Sequence, residues 1–558
     1  MNISASLFHI VCSISSSFLV KKRFDKVGEM NSMFLDMLFF YYSMDDCMTN
    51  LIFDEIALHA LEIMEYTDKH IFLTGKAGTG KSTLLMHFLD TTSKNIVLLA
   101  PTGVAALNIG GATIHSFFGF PPTVTVRKAK QEAKFQIGDG KFTELDAIVI
   151  DEISMVRSDM MDCINEFLRI VRGSSKPFGG VQLIMIGDVY QLPPVVTKYE
   201  KGFFVKEYAS PYFFDAKIIK KKTFIMEFIE LEKVYRQSDQ KFITLLNAIR
   251  TKTLQQKHLD VLNRCVSTDI AITDGMVYLA GTNSIVDTIN DTYLADVNHP
   301  AITFSAHAKG EMQGRQLPAD AKLILKKGAQ VMFVANDPDG RRVNGTLGKV
   351  VSLKKDRIVV QIYGGEEVEV GPHTWRVSQY EYNPSKKRLD AFSVGSFTQI
   401  PLTLAWAVTI HKSQGKTFDK VIIDLSAGIF AHGQTYVALS RCRTLAGITL
   451  TTQVDRSHIR LDYNVVRFIA EIHSTRPELL LSLEKKIELF QQVIAAKGRI
   501  SMTYLKSQDI SSRRVFEPYE IGNMEYEGVG FLGVKGYCHT QGGERVFRVD
   551  RILELEKM

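Results

Sequence analysis

The sequence predicts an α/β protein with two parallel-sheet domains, a small β-barrel inserted in the second of them, and a small β-rich domain at the C-terminal end. Three observations predict this. Short apolar runs separated by helical stretches occur at His70–Thr74, Asn95–Ala100, Leu145–Ile150 and Val181–Ile186. Strands apolar on both faces belong in a buried parallel sheet. The same texture returns at Met276–Ala280, Val421–Asp424 and Ile448–Thr451. Between those runs, Leu323–Phe397 alternates short strands with turns such as Asp337-Pro338-Asp339-Gly340 and Tyr363-Gly364-Gly365, the pattern of a small barrel.

Size and composition agree. A chain of 558 residues exceeds one hydrophobic core, so roughly three to five domains are expected. Its 45% hydrophobic and 23% charged residues are those of a globular protein, and a net charge of +6 permits a polyanionic partner without demonstrating one. Cys12, Cys47, Cys163, Cys265, Cys442 and Cys538 form no C-x-x-C pair, which argues against zinc and redox sites and for a reduced cytoplasm.

Along the chain, residues 1–47 stand apart. Leu7–Val20 is interrupted by serines and Met33–Tyr42 is short, so neither reaches the roughly 18–20 apolar residues of a membrane span. No secretory pattern is present either, and the stretch reads as an extension or as an upstream start before Met48. Helical spacing covers Leu51–Tyr66, and a further helix is expected from Ser82 to about Leu89. Pro121–Phe142 is a basic insertion, Pro477–Lys497 an amphipathic helix, and Gly498–Met558 a strand-rich module.

Between the first strand and its helix lies Gly75-Lys76-Ala77-Gly78-Thr79-Gly80-Lys81-Ser82, which fits G-x-x-x-x-G-K-[ST] at every fixed position. The glycines let backbone N–H groups turn around a phosphate, and the helix N-terminus adds partial positive charge. Lys81 is expected at the β- and γ-phosphates and Ser82 on Mg²⁺. Asp151 and Glu152 follow the apolar run Ile148-Val149-Ile150, where the aspartate suits the Mg²⁺ shell and the glutamate suits the attacking water. Charge developing at the γ-phosphate calls for cations, for which Arg236 and Arg441 are candidates. Taken singly, each arginine reads equally as a surface ion-pair residue.

The order of these motifs resembles the Pif-type, RecD-like group of superfamily 1 helicases, from about Leu51 to Ile459. The resemblance runs through Ala100–Ala106, Thr113–Phe118, Asp151–Met155 and Pro177–Leu183. It continues through Gly187-Asp188, Gln191–Val195, Tyr235-Arg236, Thr409–Gly415 and Tyr436–Arg441. It implies two RecA-like P-loop domains, residues 48–235 and 236–475, with ATP and Mg²⁺ in the cleft between them. Gln191 would sense the γ-phosphate, Arg236 and Arg441 would be fingers, and Thr83, Gln414 and Gly415 would complete the nucleotide contacts. Thr102, His115, His411 and Ser413 would line a single-strand track, with Phe117 and Phe118 either stacking on bases or lying in the core. The insertion 121–142, with Arg127, Lys128, Lys130 and Lys134, would hold a duplex-parting wedge. The barrel near 323–397, with Arg341-Arg342-Val343-Asn344-Gly345, would lie over the strand. Either charge cluster reads equally as a solvated loop.

The implied activity is ATP-dependent 5′ to 3′ translocation on single-stranded DNA with duplex unwinding. Expected partners are single-stranded and forked DNA, with RNA open, no membrane, and a monomer favoured. The alternatives are a translocase that does not unwind, and a ligand-responsive nucleic-acid-binding regulator. The group often reads adenine through a glutamine upstream of the phosphate loop, but Asn50–Thr74 contains none, which leaves base selectivity open. Beyond a helical linker at 476–497, residues 498–558 resemble a WYL domain, through Pro518-Tyr519, Phe531-Leu532, Tyr537-Cys538 and Arg545–Ile552. That resemblance implies a site for nucleic acid or a small ligand, or a structural cap.

Overall fold

The computed structural model describes residues 53–558, except 198, 238, 311, 313–316, 338–342, 356, 427, 430, 476–482, 506–510, 527–528 and 550–551. The extension 1–47, Arg341, Arg342 and Arg551 therefore lie outside the described residues. The first sheet contains β1 (His70–Gly75), β2 (Ile96–Ala100), β3 (Ala112–Thr113), β4 (Ala147–Ile150), β5 (Gln182–Ile186) and β6 (Met226–Leu231). They run parallel in the order β3-β2-β4-β5-β1-β6. β4 and β5 are buried at every residue, as their unbroken apolar runs require. All the loops that carry the phosphate motifs leave the C-terminal ends of these strands, where ligands bind in open α/β sheets.

The chain leaves β6 at Leu231 and enters the helix Gln240–Arg250, whose Phe242, Leu245, Leu246 and Ile249 lie in a second core. That core surrounds a four-stranded parallel sheet ordered Ala407–Thr409, Met276–Ala280, Lys420–Ile423, Ile448–Leu450. The helix Tyr463–Thr475 falls within residues 236–475 but packs back on the first domain. There Val465 and Phe468 join the first core, and Phe468 stacks on Phe214 at 4.1 Å.

The inserted β-region is a five-stranded antiparallel sheet ordered Glu367–Val370, Ile358–Ile362, Leu347–Leu353, Gln330–Phe333, Leu402–Leu404. The ribbon of Ala301–Ser305 and Lys322–Lys326, a separate two-stranded sheet, packs on it through Leu323 and Leu325. A hairpin, His373–Asn383 with Arg388–Gln399, reaches from the insert to the first domain. There Asn95 Nδ2 donates to Lys387 O at 3.1 Å and Asn95 Oδ1 accepts from Leu389 N at 3.1 Å.

The C-terminal module is an antiparallel sheet ordered Glu544–Arg548, Val529–Cys538, Ser511–Tyr526, Ile500–Leu505, Ile552–Lys557. The helix Leu483–Ala495 is not a free linker. Phe490 and Val493 enter the module's core with Ile500, Met502, Phe516 and Val534.

Candidate nucleotide cleft and strand groove

β1 ends at Gly75, and the loop that follows folds over the start of the helix Lys81–Thr91. Gly78 and Gly80 both sit at φ +83°, a left-handed conformation that side chains resist. No side chain caps the helix at Gly80, so its first-turn N–H groups are open to an anion. Lys81 Nζ folds back to donate to Gly75 O at 2.7 Å and Lys76 O at 3.0 Å. Burial lowers its pKa against the attraction of Asp188 and Glu152. Ser82 and Thr83 are exposed at the helix start. Left-handed glycines, an uncapped helix and a folded-back lysine together fit a nucleotide's phosphates.

Asp151 and Glu152 lie opposite this loop. Glu152 N donates to Asp151 Oδ1 at 2.9 Å, and Glu152 itself holds φ +51°, a strained conformation for a residue with a side chain. Burial raises the Asp151 carboxyl, and burial followed by the neighbouring Asp151 raises that of Glu152.

The second domain supplies the far wall. Gln414 Nε2 donates to Glu152 Oε2 at 2.9 Å and to Gln191 Oε1 at 3.2 Å. Arg236 approaches Gly78 and donates to Ser440 O at 3.4 Å and Gly415 O at 3.3 Å. Arg441 is buried, and carbonyls of Val437, Ser413 and Lys416 and the Ser440 hydroxyl accept its N–H groups. Burial first, then Arg236, lowers its pKa to about 9, against the attraction of Tyr436, Glu152 and Asp188. Ala77 N–H donates to Tyr436 Oη at 2.9 Å, which ties the phosphate loop to the second domain.

One residue of this cleft escaped the motif reading. Arg250, buried at the end of its helix, pairs with Asp188 at 3.1 Å and Glu230 at 3.3 Å. Its signal was positional, because Arg250 falls four residues after Leu246 on the apolar face of that helix.

The strand-track residues divide. Thr102 caps the helix Gly103–Asn108, accepting from Ala105 N at 3.2 Å. His115 and Ser116 line a cavity of about 520 Å³ with Gly103 and Ala106, and Val377 and Gln379 of the insert form its other side. Burial, then Arg157, lowers the His115 pKa. His411 is exposed. The structure decides between the two readings of the phenylalanines and corrects the placement of Ser413. Phe117 and Phe118 are 3% and 2% exposed; Phe117 packs edge-on against Phe118 and Phe142, and Phe118 stacks on Phe120 and Phe142 and meets Phe167 edge-on, so neither ring has a face left for a base. Ser413 is fully buried and its hydroxyl donates to Ile410 O at 2.7 Å, which withdraws it from any strand.

In the basic insertion, the helix Val126–Phe135 packs on Ser158–Val171, and Lys130 pairs with Glu166 at 3.1 Å. In the C-terminal module Arg545 is exposed, and strand alternation places Arg548 on the opposite face. No helix among the described residues is long and apolar enough to cross a membrane.

A phosphate loop, two parallel-sheet domains and a cleft walled by arginines from the second domain define a nucleotide-driven motor of the two-domain P-loop class. Residues 50–259 match the PIF1-like helicase family and residues 485–557 the WYL domain, whose match takes in the helix Leu483–Ala495 from Lys485 onward. The chain is 32% identical over 421 residues to the ATP-dependent DNA helicase Pif1 of Bdellovibrio bacteriovorus, covering 73% of this chain and 90% of that protein. It is 37% identical over 431 residues to human ATP-dependent DNA helicase PIF1, covering 74% of this chain and 62% of that longer protein. The crystal structure of Bacteroides sp Pif1 in complex with ADP-AlF4 superposes with a TM-score of 0.69 at 35% identity, covering 76% of this chain and 98% of that one. The chain belongs to the PIF1-like helicase family.

Proposed function

We propose that the chain is an ATP-dependent DNA helicase that moves 5′ to 3′ on single-stranded DNA and unwinds duplex ahead of it. The observation that carries the reading is the bridge from Gln414 of the second domain to Glu152 and Gln191 of the first, which makes the cleft one unit. In this reading Lys81 and the loop N–H groups hold the β- and γ-phosphates, and Glu152 orients the attacking water. Arg236 and Arg441 stabilise the charge that develops at the γ-phosphate. Ser82 and Asp151 would hold Mg²⁺, which would supply positive charge against the phosphates. Hydrolysis removes the γ-phosphate from between the domains and lets them part, which alternates the grip of His115, Thr102 and His411 on the strand.

The groove shared by His115, Ser116, Val377 and Gln379 supports a single strand as the track. The test is the ATP turnover rate without nucleic acid and with single-stranded DNA, duplex DNA or RNA. Strong stimulation by single-stranded DNA is expected, and a rate indifferent to all four conditions would refute the reading.

A further inference from the structure

The buried stripe of the helix Gln240–Arg250 belongs to the second core, and its last residue leaves that core for the cleft. There the Arg250 guanidinium lies over the Tyr190 ring at 4.2 Å and pairs with Asp188 and Glu230, both of the first domain. The Asp188 side chain is fully buried, and a carboxylate so placed needs a partner. Its Oδ1 accepts from Arg250 and from Tyr190 N at 3.1 Å, and its Oδ2 accepts from Gln191 Nε2 at 3.4 Å. Gln191 Oε1 accepts from Gln414 Nε2 at 3.2 Å, and the same nitrogen donates to Glu152 Oε2 at 2.9 Å.

The directions of these bonds are mutually consistent. A Gln191 amide whose nitrogen faces a carboxylate must turn its oxygen to Gln414. Gln414 must then present both amide hydrogens, one to Gln191 and one to Glu152. The network starts on a second-domain cation and ends on a first-domain carboxylate.

We propose that Arg250 is a positioning residue for ATP hydrolysis, which anchors Asp188 from the second domain and, through the side-chain amides of Gln191 and Gln414, sets the carboxylate of Glu152. The proposal rests on the reading of Glu152 as the group that orients the attacking water. Arg250 acts through these side chains, since its own partners are Asp188, Glu230 and the Tyr190 ring. It makes the orientation of Glu152 depend on the two domains being docked, so turnover is tied to closure.

The test uses the full chain saturated with single-stranded DNA. Arg250→Met should lower kcat about tenfold or more, with KM for ATP and the Kd of a fluorescent ATP analogue within about threefold of wild type. Arg250→Met combined with Gln191→Ala should be no slower than the slower single variant, because both act through one network. Because Arg250→Met leaves Asp188 unpaired, Asp188→Asn/Arg250→Met is measured beside it. That pair buries no lone charge and should fold while keeping the low kcat. Wild-type kcat in the folded pair, losses that multiply with Gln191→Ala, or a loss confined to KM would each overturn the proposal. Glu152→Gln separates the two readings. Wild-type turnover in that variant would remove the reading of Glu152, whereas an inactive Glu152→Gln beside fully active Arg250 variants would remove Arg250 alone.

Discussion

Gly78→Ala is the perturbation whose consequence follows most directly from the cleft. A methyl group at Gly78 would fall on Arg236 Cβ well inside 3.0 Å and stand 3.3 Å from Arg236 N. The loop carbonyl of Gly78 also accepts from Tyr235 N at 2.8 Å, so the two segments cannot part without losing that bond. Two costs result. Holding alanine at φ +83° costs about 1–2 kcal/mol. Relieving the clash moves Arg236 by on the order of 1 Å, and a misplacement of that size costs about 100-fold in rate, or roughly 2.7 kcal/mol in the barrier. Gly173→Ala is the control. It sits at φ +56° with nothing within 4 Å of its added methyl, so it carries the backbone cost alone. Thermal unfolding and DNA-stimulated ATP turnover are measured on both. Both variants should lose stability, and only Gly78→Ala should lose turnover. Wild-type kcat in Gly78→Ala would refute the claim that Arg236 must stand where the loop places it.

Lys81→Ala should lower ATP turnover by roughly 10³ or more while leaving the Kd for single-stranded DNA within a few fold, as measured by fluorescence anisotropy. Loss of strand binding would contradict the division between loop and groove. His70 is packed between Phe224, stacked at 4.7 Å, and Phe178, and its Nδ1 accepts from Leu183 N at 3.0 Å, which requires a neutral ring. Burial lowers its pKa to about 4. The unfolded chain therefore protonates first, so stability present above about pH 6.5 is lost as pH falls toward 4, by roughly 3 kcal/mol. His70→Gln should show a correspondingly shallower acid dependence of its unfolding midpoint. Deleting residues 483–558 should leave basal ATP turnover within about twofold, whereas deleting only 498–558 strips the cover from Phe490 and Val493 and should cause aggregation, read by light scattering.

The first sheet was legible because β1, β2, β4 and β5 are buried on both faces and so read as unbroken apolar runs. β6 was not, because Glu227 and Glu230 interrupt an edge strand whose outer side needs no apolar cover. β3 is two residues long, below any periodic signal. The phosphate loop and the Asp151-Glu152 pair were legible because backbone geometry and charge leave few residue types that serve. Ser413 was placed on the strand because the family resemblance set it beside His411, yet nearby residues on a turn point in different directions, and for Phe117 and Phe118 the sequence left core and strand open. The return of Tyr463–Thr475 to the first core and the seating of Leu483–Ala495 in the last module are long-range contacts that no local pattern encodes. Arg250 combines both difficulties, since an arginine following an apolar stripe reads as a helix-end cation until its partners in another domain are known.

The central claim is that ATP turnover in this cleft drives directional movement along one strand. Strand displacement by the full chain with ATP and Mg²⁺, on duplexes bearing a 5′ or a 3′ single-stranded tail, tests it most directly. Release of the displaced strand from the 5′-tailed duplex alone is predicted, whereas equal release from both tails, or brisk ATP turnover with no release from either, would contradict it.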